Sequence, residues 1–313
     1  MKLSVILASY NRSHSLLRFL EAISHQVVPE GVEWEVLIVD NNSDDGTRSL
    51  ISPLVEAHPQ RFKYLLEIRQ GKSLALNAGV RAASGQVLVF TDDDCVPDPH
   101  WLASIAEEFA AKNPIDALGG RVELYDPSHQ PFTILTGKER VAIVSAGQLL
   151  IRPQIFGCNM AFRRSVFDAV GEFDPLLGPG ARLGAAEDAD FLYRIHRQGF
   201  TMFYSPDVLV YHNHGRTTDA EIDALMRGYY IGRGALYFKH AFSGDTKALK
   251  IAYWDVKSGL RDVMTPPLSF KSVKKELAYL SALAIGVARM CLGESLSKIS
   301  RTQRNVVSPR KGK

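Results

Sequence analysis

One stretch decides the fold of this chain, and it reads Gln86-Val87-Leu88-Val89-Phe90-Thr91-Asp92-Asp93-Asp94-Cys95-Val96-Pro97-Asp98. Its apolar first half is typical of a buried central strand. Three carboxylates follow at the exit of that strand, where their mutual repulsion is costly unless a cation neutralises them. Asp92 and Asp94 can converge there on a hard divalent cation, Mg²⁺ or Mn²⁺. The alternative interpretation is an acidic loop in which Asp98 caps the helix that starts near Pro99.

The same strand belongs to an alternation of strand and helix patterns that extends from the N-terminus to about residue 112. Helix patterns separate four apolar strand patterns, at Leu3–Ala8, Glu35–Val39, Phe62–Leu66 and Gln86–Phe90. This alternation predicts an α/β fold with a doubly wound, mostly parallel central sheet flanked by helices. Ligands bind such sheets beyond the carboxyl ends of the strands.

Three polar clusters follow strands of this predicted sheet: Tyr10-Asn11-Arg12, Asp40-Asn41-Asn42 and Asp92-Asp93-Asp94. Because the carboxyl ends of parallel strands meet at one edge, we expect these clusters to form a single site. Taken separately, Asp40 is typical of a turn, and Tyr10 is typical of an aromatic residue at a rim. Their shared placement at one sheet edge favours the single site.

Two nucleotide-binding motifs are excluded by the residues present. No G-x-G-x-x-G follows the first strand, which argues against a dinucleotide fold. Gly71-Lys72-Ser73 is like the end of a P-loop, but position 66 is leucine where that motif needs glycine. Lys72 can still reach a phosphate from the start of its helix, and a solvated surface lysine is the equally weighted alternative.

The second half of the chain loses the regular alternation. A glycine-rich segment, Leu177–Gly184, is interpreted as a mobile lid. It precedes a helix whose first turn holds Glu187 and Asp188. This pair is either a general base that projects into a cleft or the acidity that is common at helix starts.

A histidine pair ends the last strand-like run of this half. His212 continues the strand directly, so it ranks above His214 as a ligand that completes the metal site of Asp92 and Asp94. The alternative for His212 is a hydrogen-bonded residue at the sheet rim. Two histidines this close are not a zinc site without further ligands.

Composition limits the class of protein. The net charge of +3 argues neither for nor against nucleic acid. Three widely spaced cysteines, and no signal-like N-terminus, predict reduced thiols in the cytoplasm. The apolar segment Leu277–Leu292 is shorter than the ~20 residues that a membrane span needs, and Arg289 interrupts it.

The C-terminal part is expected to dock on the inner face of the membrane as a peripheral contact. Leu277–Leu292 lies between Lys274-Lys275 and a basic tail, which suits an interfacial helix. The tail is either a disordered end or a patch for anionic lipid, and its basic residues are Lys298, Arg301, Arg304, Arg310, Lys311 and Lys313.

The ordered motifs resemble those of family 2 glycosyltransferases of the GT-A fold. The resemblance rests on Ser4–Arg12, Val39–Thr47, Thr91–Asp94, Gly157–Arg163, Gly171–Asp174 and Glu187–Asp188. The ordered set is highly specific, although no single member is. It implies a Rossmann-like GT-A domain over residues 1–215, followed by a helical C-terminal extension with a basic tail over residues 216–313.

The resemblance implies an inverting transferase of the hexosyltransferase type. Such an enzyme moves a sugar from a nucleotide-diphosphate sugar, with uridine as the default base, to a hydroxyl of a glycan or lipid-linked acceptor. Mn²⁺ or Mg²⁺ would assist, and surface polysaccharide or glycolipid synthesis is the expected context. No nucleic-acid partner is expected.

The resemblance also implies roles for individual residues. Asp92 and Asp94 match the family's D-x-D motif, and Glu187–Asp188 matches the segment that supplies the base, with Asp188 favoured. The candidate donor-binding residues are Tyr10, Asn11, Arg12, Asp40, Asn42, Lys72, Asp92 and Asp93. The candidate metal ligands are Asp92, Asp94 and His212.

One departure from the family pattern and two rival functions accompany this assignment. Many members carry arginine before the asparagine of Leu76-Asn77, so Lys72 or Arg69 is expected to replace the contact of that arginine with the phosphate or base of the donor.

A sugar-phosphate nucleotidyltransferase is the first rival, and the absence of a glycine-rich triphosphate loop counts against it. A non-catalytic nucleotide-sugar binding module is the second, and the intact acidic residues count against it.

Overall fold

The computed structural model describes residues 1–264 and 277–292. The chain divides into two compact units, and the larger contains Met1–Ala181 and Glu187–Asp223. The smaller contains Arg182–Ala186 and the chain from Ala224 onward. Lys274-Lys275 and the basic tail, on which the expected membrane contact partly rests, lie outside the described residues.

The first half of the larger unit is the predicted alternation. Its elements are β1 (Lys2–Ser9), α1 (Ser13–Ser24), β2 (Glu33–Asp40), α2 (Thr47–Ala57), β3 (Phe62–Leu66), α3 (Lys72–Ala82) and β4 (Val87–Thr91). Strands β3, β2, β1 and β4 lie side by side in that order, and all three pairs are parallel. Every residue of β4 is buried, as expected for a central strand covered on both faces.

The second half extends the same sheet with strands of both directions. Its elements are β5 (Cys95–Pro97), α4 (Trp101–Ala110), β6 (Ala117–Leu124), β7 (Val141–Ala142), α5 (Ala146–Leu150), β8 (Asn159–Arg163), α6 (Arg164–Val170), α7 (Glu187–Arg197) and β9 (Met202–His212). Within the described residues the sheet has nine strands, ordered β3-β2-β1-β4-β8-β6-β9-β5, with β7 paired to β9. Strand β8 is antiparallel to β4 and β6, whereas β9 runs parallel to β6. The predicted α/β fold is confirmed, with a sheet that is parallel in its first four strands and mixed thereafter.

Asp98 does not cap helix α4, so that part of the alternative interpretation of the acidic stretch is wrong. Its Oδ1 accepts a hydrogen bond of 3.0 Å from the backbone amide of His100, which closes a turn just before the helix begins at Trp101. Strand β5 was not predicted, because three residues between an acidic loop and a proline carry too little pattern to indicate a strand.

The parallel register aligns the carboxyl ends of the central strands. Ser9 pairs with Asp40 across β1 and β2, and Ile6 pairs with Phe90 across β1 and β4. The loops that carry the three polar clusters therefore leave the sheet at the same edge. This edge is where the sequence places the site.

The smaller unit is helical, with α8 (Asp219–Phe242, from Ala224 on), α9 (Thr246–Met264) and a helix over residues 277–292. Its interior holds an ion pair of 2.9 Å between Arg233 and Asp255, and Tyr237 donates a 2.8 Å hydrogen bond to the same carboxylate. A buried charge needs such partners. Among the described helices, none combines the length and apolar character that crossing a bilayer requires.

Glu35 is a fully buried carboxylate that joins several elements of the parallel half. Its Oε1 accepts 2.7 Å hydrogen bonds from the Ser4 hydroxyl and from the amide and hydroxyl of Ser84, and its Oε2 lies 2.6 Å from Nζ of Lys63. Burial alone would raise the pKa of Glu35, but the hydrogen bonds from Lys63, Ser4 and Ser84 outweigh burial and hold the pKa at about 2.

This carboxylate makes stability depend on pH. The folded-state pKa of about 2 lies below the ordinary 4.5, so the unfolded chain binds the proton more tightly. The Glu35 contribution is complete above pH 4.5 and is lost as the pH falls towards 2. We expect Glu35→Gln to lower the free energy of unfolding at pH 7 and to flatten its decline in acid, measured by urea unfolding at a series of pH values. Glu33→Gln, an exposed change in the same strand, is the control, and equal acid slopes in Glu35→Gln and wild type would contradict the assignment.

Candidate active site

Asp92 leaves strand β4 towards the start of helix α3. Its Oδ1 lies 2.5 Å from Nζ of Lys72, and the same ammonium lies 3.7 Å from Oε1 of Glu187. Burial would lower the pKa of Lys72, but the charges of Asp92 and Glu187 raise it well above its ordinary value. Lys72 therefore links the acidic triplet to the acidic pair of helix α7. It was predicted to reach a phosphate, and here its ammonium contacts two carboxylates.

Asp93 and Asp94 share one guanidinium. Nη1 of Arg12 lies 3.3 Å from Oδ1 of Asp93 and 2.6 Å from Oδ2 of Asp94, and Ser9 donates a 2.8 Å hydrogen bond to Asp93. Burial raises the pKa of Asp93 to about 7 even though Arg12 opposes that shift. Arg12 thus turns towards the carboxylates of the triplet, and Asp93 points inward beside the end of strand β1.

Asp94 also meets His212 and Cys95. The pairing of β5 with β9 places Cys95 directly opposite His212, and candidate ligand atoms of Asp94, Cys95 and His212 all lie within 4.8 Å of one another. Nε2 of His212 is 3.4 Å from Oδ1 of Asp94. Burial would lower the pKa of His212, but Asp94 raises it to about 9. In turn, His212 and Arg12 lower the pKa of Asp94 against the effect of its burial.

These groups fit a divalent cation. Oδ1 of Asp94 is buried and accepts no hydrogen bond of good geometry, so it is an acceptor in need of a positive partner. Carboxylate oxygen and imidazole nitrogen are suitable ligands for Mn²⁺. Among the described residues, Asp92 stays outside the cluster of Asp94, Cys95 and His212, and it faces Lys72 instead. Cys95 was not predicted, and its only sequence signal is its place directly after the triplet.

His214 is occupied elsewhere. Its Nε2 lies 3.1 Å from the carbonyl oxygen of Gln130, and its Nδ1 accepts a 3.0 Å hydrogen bond from the amide of Arg216. The structure therefore brings His212, and not His214, to the acidic triplet.

Glu187 and Asp188 open helix α7 in different surroundings. Glu187 is buried against Lys72, and burial raises its pKa to about 7 despite that opposing charge. Asp188 is half-buried, and its Oδ2 accepts a 3.0 Å hydrogen bond from the amide of Gly157. A side chain at position 157 would start 2.9 Å from that same oxygen, so any residue larger than glycine there would displace the carboxylate of Asp188.

The glycine-rich segment before α7 contacts the start of α3. The hydroxyl of Ser73 donates a 2.7 Å hydrogen bond to the carbonyl of Leu177, and the amide of Lys72 donates one of 2.9 Å to Pro179. Leu177 is fully buried. The part of the expected lid over residues 177–179 is thus attached to the helix that presents Lys72.

The first two polar clusters form a joined pair of loops. Asn11 Oδ1 accepts a 2.8 Å hydrogen bond from the amide of Asp44, and the amide of Asn11 donates one of 3.0 Å to Ser43. Both Asn11 and Asn42 have left-handed φ angles, 52° and 66°, which asparagine tolerates well. Tyr10 lies beside these loops and is 50% exposed, so its aromatic face can stack on the ring of a ligand.

Asp40 lies beneath these loops and not in the open. It is only 2% exposed, its Oδ1 accepts from the amide of Ser43 at 2.8 Å, and its Oδ2 accepts from the hydroxyl of Tyr64 at 2.7 Å. Its neighbour Asn41, which was not singled out, holds the start of α3 by accepting a 2.8 Å hydrogen bond from Gly71. Arg69, the alternative to Lys72, makes a two-point ion pair with Glu67 at 2.8 Å.

The chain matches the family described as Glycosyl transferase family 2 over residues 4–171, which is more than half of its length. Glycosyltransferase AglE of Haloferax volcanii is 27% identical over 216 residues, and the match covers 67% of this chain and 66% of that protein. The chain spans less than two thirds of the length of the curated relatives that it matches first.

Two solved structures resemble the fold. Mannosyltransferase PcManGT from Pyrobaculum calidifontis, in complex with GDP-Man and Mn²⁺, superposes with a TM-score of 0.60 at 21% identity, covering 91% of this chain and 86% of that one. S. aureus TarS in complex with UDP superposes with a TM-score of 0.54 at 20% identity, covering 74% of this chain and 65% of that one. At these identities the likeness establishes the fold, and it agrees with the GT-A architecture implied by the sequence motifs.

Removal of the Asp94 carboxylate is expected to weaken binding of Mn²⁺ while the protein still folds. Oδ1 of Asp94 is a buried acceptor without a hydrogen bond, and loss of one charged ligand weakens a metal site by roughly tenfold or more. Calorimetric titration of Mn²⁺ into Asp94→Ala measures the loss, and circular dichroism checks the fold. Asp207→Ala, at an exposed position, is the control, and undiminished affinity in Asp94→Ala would refute the cation site.

Proposed function

Because this chain belongs to glycosyl transferase family 2, we propose that it moves a sugar, with inversion, from a nucleotide-diphosphate sugar to a hydroxyl of a glycan or lipid-linked acceptor. One observation carries this proposal: Lys72 joins the acidic triplet after β4 to the acidic start of α7, so a donor-side group and a base candidate share one site. Membership of the family favours sugar transfer over the nucleotidyltransferase and the non-catalytic binding module.

The donor side of the site is assigned to the residues at the exit of β4. Asp94 and His212 would hold Mn²⁺ or Mg²⁺, joined by Asp92 if its carboxylate turns from Lys72 towards them, and when bound the ion stabilises the negative charge that develops on the departing nucleoside diphosphate. Arg12 and Lys72 add two positive groups that already lie against these carboxylates. The solved structures with GDP-Man and Mn²⁺ and with UDP support a nucleotide-sugar donor and a divalent cation. We extend both to this chain, with uridine as the default base.

The nucleoside is assigned to the joined loops after β1 and β2. Tyr10 is exposed there and can stack on a base, while Asn11, Asn42 and the buried Asp40 shape the loops around it. Asp40 acts in this proposal mainly through the loop, because both of its oxygens are already hydrogen-bonded.

Asp188 is the proposed general base. It accepts the proton of the acceptor hydroxyl as that oxygen attacks the anomeric carbon from the face opposite to the leaving diphosphate, so one displacement inverts the configuration. Its carboxylate is oriented by the amides of Gly157 and Ala189, and unlike the buried Asp40 it is partly exposed, which leaves it accessible to an acceptor. Glu187 is buried against Lys72 and therefore suits the organisation of the donor side.

The test compares Asp188→Asn with Glu187→Gln. Asp188→Asn keeps the shape but removes the basicity, so transfer should fall roughly 10²–10⁴-fold while donor affinity is retained. Glu187→Gln should lose less. Released nucleoside diphosphate is measured for a panel of nucleotide sugars with an acceptor mixture, and donor affinity is measured by calorimetry. If Asp188→Asn transfers sugar at the wild-type rate and Glu187→Gln is inactive, Glu187 is the general base. If both variants are active, neither residue is the base.

A peripheral contact with the inner face of the membrane completes the proposal. Helix α9 exposes Leu249, Tyr253 and Trp254, which are 57%, 57% and 48% exposed, on the face that also carries Lys250 and Lys257. Nζ of Lys257 lies 4.8 Å from the ring centroid of Trp254. Among the described side chains of α9 the one carboxylate, Asp255, is buried, so the exposed face is apolar and positive. Such a face complements a bilayer surface that contains anionic lipid.

The contact is tested by sedimentation with lipid vesicles. We expect the protein to bind vesicles with anionic lipid, and Lys250→Ala combined with Lys257→Ala to weaken binding roughly 30-fold, since each lysine near such a surface contributes about 1 kcal/mol. High salt should have a similar effect. Trp254→Ala should also weaken vesicle binding, because it removes exposed apolar surface from the same face, and Tyr125→Ala, at an exposed aromatic residue of the larger unit, is its control. No binding to anionic vesicles would reject this contact without affecting the proposed chemistry.

A further inference from the structure

Thr133 has an unusual backbone for its residue type. Its φ is 52°, in the left-handed region, where a β-branched side chain is strained. Of the other non-glycine residues with positive φ in the described chain, Asn11 and Asn42 are of a type that tolerates this region. Strain of this kind persists only where neighbouring contacts hold it, and it is often found at functional sites.

The neighbouring contacts of Thr133 are local and specific. Two residues later, Leu135 forms a β-bridge with Val122 through hydrogen bonds of 2.8 and 3.0 Å, which anchors the segment to strand β6. Earlier in the segment, the amide of Gln130 donates a 2.9 Å hydrogen bond to Arg216, just beyond strand β9. The segment is thus held at both ends across the end of β9, where His212 lies.

The hydroxyl of Thr133 contacts the ring of His212. Oγ1 donates a 2.7 Å hydrogen bond to the carbonyl oxygen of Phe132, and the same oxygen lies 3.0 Å from Nδ1 of His212. A hydroxyl has one proton, and here it is used on the carbonyl, so Oγ1 must accept from the ring. In this arrangement Nδ1 of His212 carries hydrogen, so a divalent cation that displaces the proton of Nε2 meets the lone pair of that atom. That atom is the one that lies 3.4 Å from Asp94.

We propose that Thr133 is a positioning residue that fixes the tautomer and the ring orientation of His212, so that Nε2 is available to a divalent cation beside Asp94. This inference rests on the cation site of the proposed function and adds a residue that no motif of the chain indicates. Groups that hold the second nitrogen of a metal-binding histidine raise the affinity of the site for its metal. The strained backbone is retained because it directs the hydroxyl to the ring.

The experiment compares two substitutions at this position. Thr133→Val keeps the β-branched shape and removes the hydroxyl, and Thr133→Ser keeps the hydroxyl. We expect Thr133→Val to weaken Mn²⁺ binding roughly 10–100-fold and Thr133→Ser to restore near wild-type affinity. Mn²⁺ affinity is measured by electron paramagnetic resonance without donor or acceptor. Thr217→Val, at an exposed position close to the same loop, is the control.

A second measurement reports the tautomer directly. Nitrogen NMR of protein labelled in its histidines, recorded without metal on the neutral ring of His212, should show a larger fraction of the Nδ1–H tautomer in the wild type and in Thr133→Ser than in Thr133→Val. The proposal would be overturned if Thr133→Val kept the Mn²⁺ affinity and the His212 tautomer of the wild type. It would also be overturned if Thr133→Val and Thr133→Ser lost Mn²⁺ affinity equally. If the wild type binds no Mn²⁺, the cation site of the proposed function fails, and the NMR result alone decides the role of Thr133.

Discussion

The pairing of three adjacent carboxylates with Arg12 and Lys72 is the interaction on which this sheet edge depends. Asp93 and Asp94 are nearly fully buried, and an unpaired buried charge costs several kcal/mol. Arg12 comes from the loop after β1, and Lys72 comes from the start of α3. The loop after β1 and the start of α3 must therefore both reach the exit of β4. Hydrogen bonds between Asn11 and the loop after β2, and between the start of α3 and both Asn41 and Leu177, hold them there.

The parallel half of the fold was predictable because its signals are local. Each strand there is an apolar run bounded by turn residues, and the regular strand–helix alternation predicts parallel pairs even for β1 and β4, which lie far apart in sequence. The mixed half was not, because the regular alternation ends there and no pattern indicates that β8 is antiparallel to β4 or that β5 pairs with β9.

The same distinction applies to the site. Strand ends and the D-x-D spacing placed Asp92, Asp94 and His212 at one edge, and the structure brings Asp94 and His212 together. Cys95 and Thr133 were missed, because one depends on a cross-strand partner and the other on a loop whose φ angle leaves no signal in the sequence. Lys72 was placed correctly at the start of its helix, but its carboxylate partners could not be read from the sequence.

The close approach of Asp188 to Gly157 has a consequence for how this sequence can change. A β-carbon added at position 157 would lie only 2.9 Å from Oδ2 of Asp188. The same oxygen accepts a hydrogen bond from the Gly157 amide. Any larger residue at 157 would displace the carboxylate. In an evolving lineage the two positions are therefore expected to vary together, and a homologue that lacks this glycine should also have moved or lost its acid. The presence of both Gly157 and Asp188 therefore distinguishes sequences that keep this arrangement from those that share only the fold.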